Sequence, residues 1–84
     1  MNKKFSKIAW KEYTEWQAED KKVLKKINEI IKDIDRNGNE GLGHPEALRH
    51  ELTGYWSRKI TEKDRLIYRI TEDGTIYIIQ CKNH

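Results

Sequence analysis

Glu46, Arg65, Arg69 and His84 are the side chains of this sequence best suited to acid–base work on a phosphodiester. A carboxylate can take the proton from a ribose 2′-hydroxyl as that oxygen attacks the neighbouring phosphorus. An imidazolium can protonate the departing 5′-oxygen, and an arginine can stabilise the charge that builds between them. RNA cleavage without a metal needs those three roles. Each residue also has an ordinary reading. A glutamate just after Pro45, at the end of a glycine-rich loop, is commonly a solvated charge. Two arginines on one strand commonly pair with acids across a sheet, although on an open sheet face they can instead bind phosphate bidentately. Many small proteins contain Glu, Arg and His, so the set alone does not select a function.

Other reactive types lead elsewhere. Cys81 and His84 have a spacing found in metal sites, but residues three apart on an extended strand point to opposite faces. Zinc would need two further ligands, and His44 and His50 are the histidines left, so no metal and no cofactor are expected. The neighbours of Cys81 are apolar, and burial raises a thiol's pKa, so a core role is expected in place of a nucleophile. Trp10, Tyr13, Trp16 and Tyr68 read as core residues before they read as base-stacking platforms. Tyr55 and Trp56 must face opposite ways, which exposes one of them.

The elements that must position these groups follow from periodicity. Lys4 to Trp10 reads as a short edge strand, and Trp10 to Glu19 as a helix with Trp10, Tyr13 and Trp16 or Gln17 at helical spacing. Asp20 is a plausible cap for a longer helix, whose Val23, Ile27, Ile30, Ile31 and Ile34 form one apolar stripe. Asn37 and Gly38 stop it, because both tolerate left-handed backbone. Residues 37–46 hold three of the five glycines and the single proline, and read as a long loop of the kind that carries function. Three strands are expected beyond it: Thr53 to Ile60, Arg65 to Thr71 and Thr75 to Lys82. Turns at Glu62-Lys63-Asp64 and Glu72-Asp73-Gly74 join them. Alternation sends Leu66, Tyr68 and Ile70 toward the helices and Arg65, Ile67 and Arg69 away from them. The last strand is apolar on both faces, which suits an interior position. The order implies an α+β domain with the helices on one face of an antiparallel sheet.

Composition bounds the partners. At 84 residues there is room for one domain, spanning 1–84, with one modest core. Lys and Arg total 17 against 14 Asp and Glu, for a formal charge of +3, which suits a polyanionic partner without demanding one. Lys3, Lys4, Lys7 and Lys11, then Lys21, Lys22, Lys25 and Lys26, form either a solvated helix face or a phosphate-facing one. The single cysteine rules out an internal disulfide. The start, MNKKFSKIAW, lacks the apolar run of a secretory signal, and no segment has the length of a membrane span. A cytoplasmic protein is expected, with no membrane partner.

The run HPEALRHELTGYWSRKITEKDRLIYRI, His44 to Ile70, resembles the central motif of the YoeB/Txe toxins, with the pattern PExLxH–LxGxWSRxIxxxxRLxY. The stretch from Asp20 to Ile34, the Trp10, Tyr13 and Trp16 pattern and the Cys81-Lys82-Asn83-His84 ending extend the likeness over nearly the whole chain. The resemblance implies the RelE/YoeB (microbial ribonuclease-like) fold, two helices on a twisted antiparallel sheet. It also implies a toxin that cleaves mRNA in the ribosomal A site and is neutralised by a YefM-type antitoxin. Carried onto this sequence, Glu46 is the general base, Arg65 the transition-state clamp and His84 the general acid. Arg49, His50 and Lys59 line the RNA path, and the lysines of the second helix meet ribosomal RNA. A toxin homodimer is compatible with the family. The family's terminal motif is a histidine followed by a tyrosine, whereas this sequence stops at His84. The expectation is a weakened enzyme or a shortened chain, with a toxin that binds ribosome or protein without cutting as the alternative.

Overall fold

The structure, a computed structural model, describes residues 1–83. Its elements are β1 (Lys3–Phe5), α1 (Lys7–Glu19), α2 (Lys21–Asn37), β2 (Glu46–Ala47), β3 (Trp56–Lys59), β4 (Arg65–Ile70) and β5 (Ile76–Gln80), with a short 3₁₀ turn at His50–Leu52. Both helices lie on one face of a five-stranded sheet ordered β1-β5-β4-β3-β2.

Single side chains set the helix boundaries. Ser6 ends β1 by giving its N–H to Ile78 O at 2.8 Å. Its hydroxyl then accepts from Ala9 N at 3.1 Å, so α1 begins at Lys7, one turn earlier than the aromatic spacing indicates. Asp20 closes α1 through its own N–H to Trp16 O. It opens α2 by accepting from Lys22 N and Val23 N, as expected. Gly38, at φ +65°, ends α2 where the sequence places the stop.

The core lies between the helices and the sheet. Ala9 and Trp16 of α1, Ile27, Ile30 and Ile34 of α2, Leu66 and Tyr68 of β4, and Ile76 and Ile78 of β5 are buried there. Each large aliphatic side chain so buried contributes about 2 kcal/mol. Trp10, expected inside, is 53% exposed, because the inward face of α1 runs through Ala9, Glu12 and Trp16. Trp10 instead stacks on Tyr13 and meets Phe5 edge-on.

The sheet is mixed where an antiparallel one is expected. β1 runs parallel to β5, a pairing that the two intervening helices make possible. β5 accordingly has a neighbour on each side, as its two apolar faces suggest. Glu46 and Ala47 form a strand at the other edge, pairing with Ser57 and Trp56, so Glu46 belongs to the sheet and not to the loop. The strands are also shorter than expected. A turn at Gly54 (φ +95°) delays β3, and beyond β5 Cys81 turns its N–H to Glu12.

Candidate active site

The alternation within β4 decides what faces outward. Leu66 and Tyr68 are fully buried, which leaves Arg65, Ile67 and Arg69 on the side away from the helices. Strand register then arranges three rows on that open face. Lys59 stands opposite Arg65. Next come Glu46, Ser57, Ile67 and Gln80, one from each of four strands. In the third row Arg69 stands opposite Tyr77, which itself stands opposite Lys4. Glu46 and Arg65 are two strands and two residues apart, a backbone separation of about 12 Å that two long side chains can span around one phosphate.

Arg65 is half-buried and held by its own turn. Its Nη1 donates to the carbonyls of Thr61, Asp64 and Glu62 at 3.0, 3.2 and 3.3 Å. Those partners fix the guanidinium without neutralising it, so cross-strand pairing with an acid does not occur among the described residues. Lys59 gives its ammonium to Glu62 at 3.0 Å and holds that carboxyl below the usual range. Such an exposed pair opens at little cost. Glu46 is exposed. Arg49 and His50 are exposed on the turn between β2 and β3, at the Arg69 end of the face and away from Arg65. His50 takes a positive φ of 58°, an uncommon conformation for a side-chain-bearing residue, and its carbonyl accepts from Thr53 N and Oγ1.

Beneath this face lies a residue that the motif contains but its chemistry does not announce. Arg58 is fully buried on the core side of β3. Its guanidinium donates to Asp33 Oδ2 at 2.8 Å, to the carbonyls of Leu42, Gly38 and Glu40 at 2.6, 2.7 and 3.0 Å, and to Tyr68 Oη at 3.1 Å. Tyr68 Oη in turn donates to Asn39 Oδ1 at 3.1 Å. The glycine-rich loop is therefore folded around one cation. Gly43 completes the attachment: Lys59 N donates to its carbonyl at 2.6 Å, and a Cβ there would lie 2.9 Å from Lys59 O. Three residues later Glu46 enters the sheet. The signal for Arg58 was its phase, since Trp56 and Arg58 alternate onto the same face as Leu66 and Tyr68.

The chain beyond β5 is anchored as tightly. Glu12 accepts from Cys81 N at 2.8 Å, Trp16 Nε1 donates to Cys81 O at 2.9 Å, and Lys82 meets Glu19 at 2.9 Å. Burial, with Glu12 and Asp64 nearby, pushes the Cys81 thiol up to about 12, so it is no nucleophile. Asn83 N donates to Asp64 Oδ1 at 2.8 Å, which holds the last described residue beside the position preceding Arg65. His84 lies outside the described residues. Among those described, no group of three His, Cys, Asp or Glu side chains could hold a metal ion. Nor, among the described residues, is any helix long and apolar enough to cross a membrane.

Residues 5–84 match the family described as "YoeB-like toxin of bacterial type II toxin-antitoxin system". Toxin YoeB of Escherichia coli K12 is 49% identical over 80 residues, covering 95% of this chain and 94% of that one. The heterotetrameric YoeB-YefM toxin-antitoxin complex of Staphylococcus aureus contains a chain that superposes with a TM-score of 0.94 at 48% identity, covering 100% of this chain and 97% of its own. The YoeB dimer of the same organism superposes with a TM-score of 0.92 at 49% identity and the same coverage. The likeness is thus one of sequence and of backbone together, over nearly the full length, and the chain belongs to the YoeB-like toxins of bacterial type II toxin–antitoxin systems.

Proposed function

We propose that this chain is an mRNA endoribonuclease that cuts in the ribosomal A site and so stops translation. Glu46 takes the 2′-hydroxyl proton, the 2′-oxygen attacks phosphorus, and the bond to the 5′-oxygen breaks. His84 protonates that oxygen, leaving a 2′,3′-cyclic phosphate and a free 5′-hydroxyl. Arg65 stabilises the intervening charge. What supports this reading is the register that puts Glu46 and Arg65 on one open face, with the segment leading to His84 tied to Asp64 beside them.

Arg49, His50, Lys59 and Arg69 supply cations or hydrogen-bond donors along the same face for the RNA backbone. The ribosome supplies orientation that the open face lacks on its own, since holding RNA bent for in-line attack is itself a large part of the acceleration. An antitoxin of the YefM type, the partner in the related S. aureus complex, inhibits by covering this face with an acidic segment that orders as it binds. Residues 1–84 act as one domain, in the cytoplasm, and the protein is able to pair as its S. aureus relative does.

Primer extension on mRNA programmed into bacterial ribosomes tests the reading. A cut in the A site is expected with this protein, falling about 10²- to 10⁴-fold with Glu46→Gln. Equal cutting by Glu46→Gln overturns the site assignment. Salt-sensitive ribosome binding with no cut, even after a tyrosine is appended to His84, overturns the nuclease reading in favour of a binding toxin.

A further inference from the structure

The third row of the open face contains a cation whose surroundings differ from those of Arg65. The guanidinium of Arg69 lies 5.7 Å from the ring centre of Tyr55, just ahead of β3, and 5.8 Å from that of Tyr77 on β5. Arg69 is exposed and both tyrosines are half-buried, so all three present surface to solvent. Lys4 of β1, level with Tyr77, adds a second cation at the edge of an open groove that Arg69, Thr71 and Tyr77 also line.

Two acids face the same groove, Glu72 and Asp73. Asp73 is turned into its own hairpin, where its carboxylate accepts from the Thr71 hydroxyl and from Thr75 N. Those hydrogen bonds keep its charge within the turn. Among the described residues neither Arg69 nor Lys4 is bridged to an acid, so both cations remain available at the surface.

An arginine flanked by aromatic rings, beside a lysine, has the chemistry for single-stranded nucleic acid. The cations take a backbone phosphate, and the ring faces take a base by stacking. Position fixes its relation to the catalytic row. Arg65 and Arg69 are four residues apart on one strand, about 13 Å along the sheet. An extended strand of a few nucleotides bridges that gap, whereas adjacent phosphates do not.

We propose that Lys4, Tyr55, Arg69 and Tyr77 form a second RNA subsite, which grips a phosphate and base removed from the scissile linkage. The proposal rests on the nuclease reading of the same face. It gives that face a polarity: chemistry at the Arg65 end, and sequence-independent grip at the Arg69 end.

Binding of a fluorescent 2′-O-methyl hexanucleotide, which cannot be cleaved, tests the subsite by anisotropy over a range of salt concentrations. Arg69→Met is expected to weaken binding about tenfold and to lower the salt slope by about one. Tyr77→Leu weakens binding similarly, and Tyr77→Phe, which keeps the ring, restores it. Circular dichroism melts establish that the variants are folded. Unchanged affinity and slope in Arg69→Met overturn the subsite, as does a folded wild-type protein that fails to bind the hexanucleotide. If Arg69→Met weakens only an acidic antitoxin peptide and leaves RNA binding intact, the cluster is a protein contact and the proposal fails. The nuclease reading is judged separately, on Glu46→Gln in ribosomal cleavage.

Discussion

The guanidinium of Arg58 and the carboxylate of Asp33 meet at 2.8 Å from positions 25 residues apart, under the loop that delivers Glu46 to the sheet. Asp33 closes the other side of the same arrangement by accepting from Leu42 N at 3.0 Å and from Asn37 Nδ2 at 2.8 Å. One ion pair thus joins the end of α2, the glycine-rich loop and β3. Its value is organisational, because desolvation offsets much of the attraction in a buried pair.

Removing the cation alone should be costly. Arg58→Met strands three loop carbonyls and one carboxylate, and a destabilisation of about 3 kcal/mol is expected. For a domain of this size that lowers Tm by about 15 °C in a thermal melt. A change of only a degree or two would mean the loop holds its shape without Arg58.

Gly41 should tolerate a methyl group far less well than Gly74. Both have positive φ, +117° and +83°, so both substitutions strain the backbone. At Gly74 an added Cβ meets nothing within 4 Å, whereas at Gly41 it would fall 2.2 Å from Asp33 Oδ2. That carboxylate cannot swing aside without leaving Arg58. Urea denaturation should show Gly74→Ala losing about 1 kcal/mol and Gly41→Ala about 3 kcal/mol. Equal losses would show that strain alone decides.

Acid should erase what the ion pair contributes. The Arg58 guanidinium beside Asp33 holds its carboxyl below the ordinary value of 3.8. With the folded pKa depressed, the unfolded chain takes up the proton first. The stabilisation is therefore complete above the unfolded value and disappears as pH falls through the folded one. Melts of the protein and of Asp33→Asn should differ at neutral pH, and the gap should begin to close only as pH falls below about 4. A constant gap down to pH 2 would contradict this.

Asp64 should matter for turnover more than its position at a turn suggests. It accepts from Thr61 Oγ1 at 2.7 Å and from Asn83 N at 2.8 Å, tying the segment before His84 to the strand that begins with Arg65. Asp64→Ala should lower the ribosomal cleavage rate about tenfold, with little change in the concentration needed for half-maximal rate. Loss of apparent affinity at constant maximal rate would assign Asp64 to RNA binding instead.

Much of this architecture can be read from side-chain periodicity, and what cannot has a common cause. The stripe of α2, its Asp20 cap and its Gly38 stop are local, so the sequence shows them directly. So is the alternation that separates Leu66 and Tyr68 from Arg65 and Arg69. Long-range partners are not local. Arg58 belongs to a recognisable pattern, but Asp33 and the three carbonyls that satisfy it come from other segments. Glu46 reads as a loop residue because a two-residue strand has no period of its own, and only Ser57 across the ladder makes it one. Trp10 follows the helical spacing of its neighbours, yet the inward face of α1 is chosen by what fits beneath it: small Ala9, and Glu12 reaching Cys81.

The parallel pairing of β1 with β5 bears on when the protein can act. β1 is made first and β5 last, and the contact between Glu12 and Cys81 closes a separation of 69 residues. Contacts of such range form late, since the intervening chain must first give up its freedom. A nascent chain can shape its helices early, but β5 supplies Gln80 and Tyr77 to the outer face and leads into the segment held by Asp64. While the chain is still being synthesised, the ribosome that makes it carries an unfinished surface. On the proposed reading of a toxin that acts on translation, the chain is in this way kept from its target until its own synthesis is nearly done.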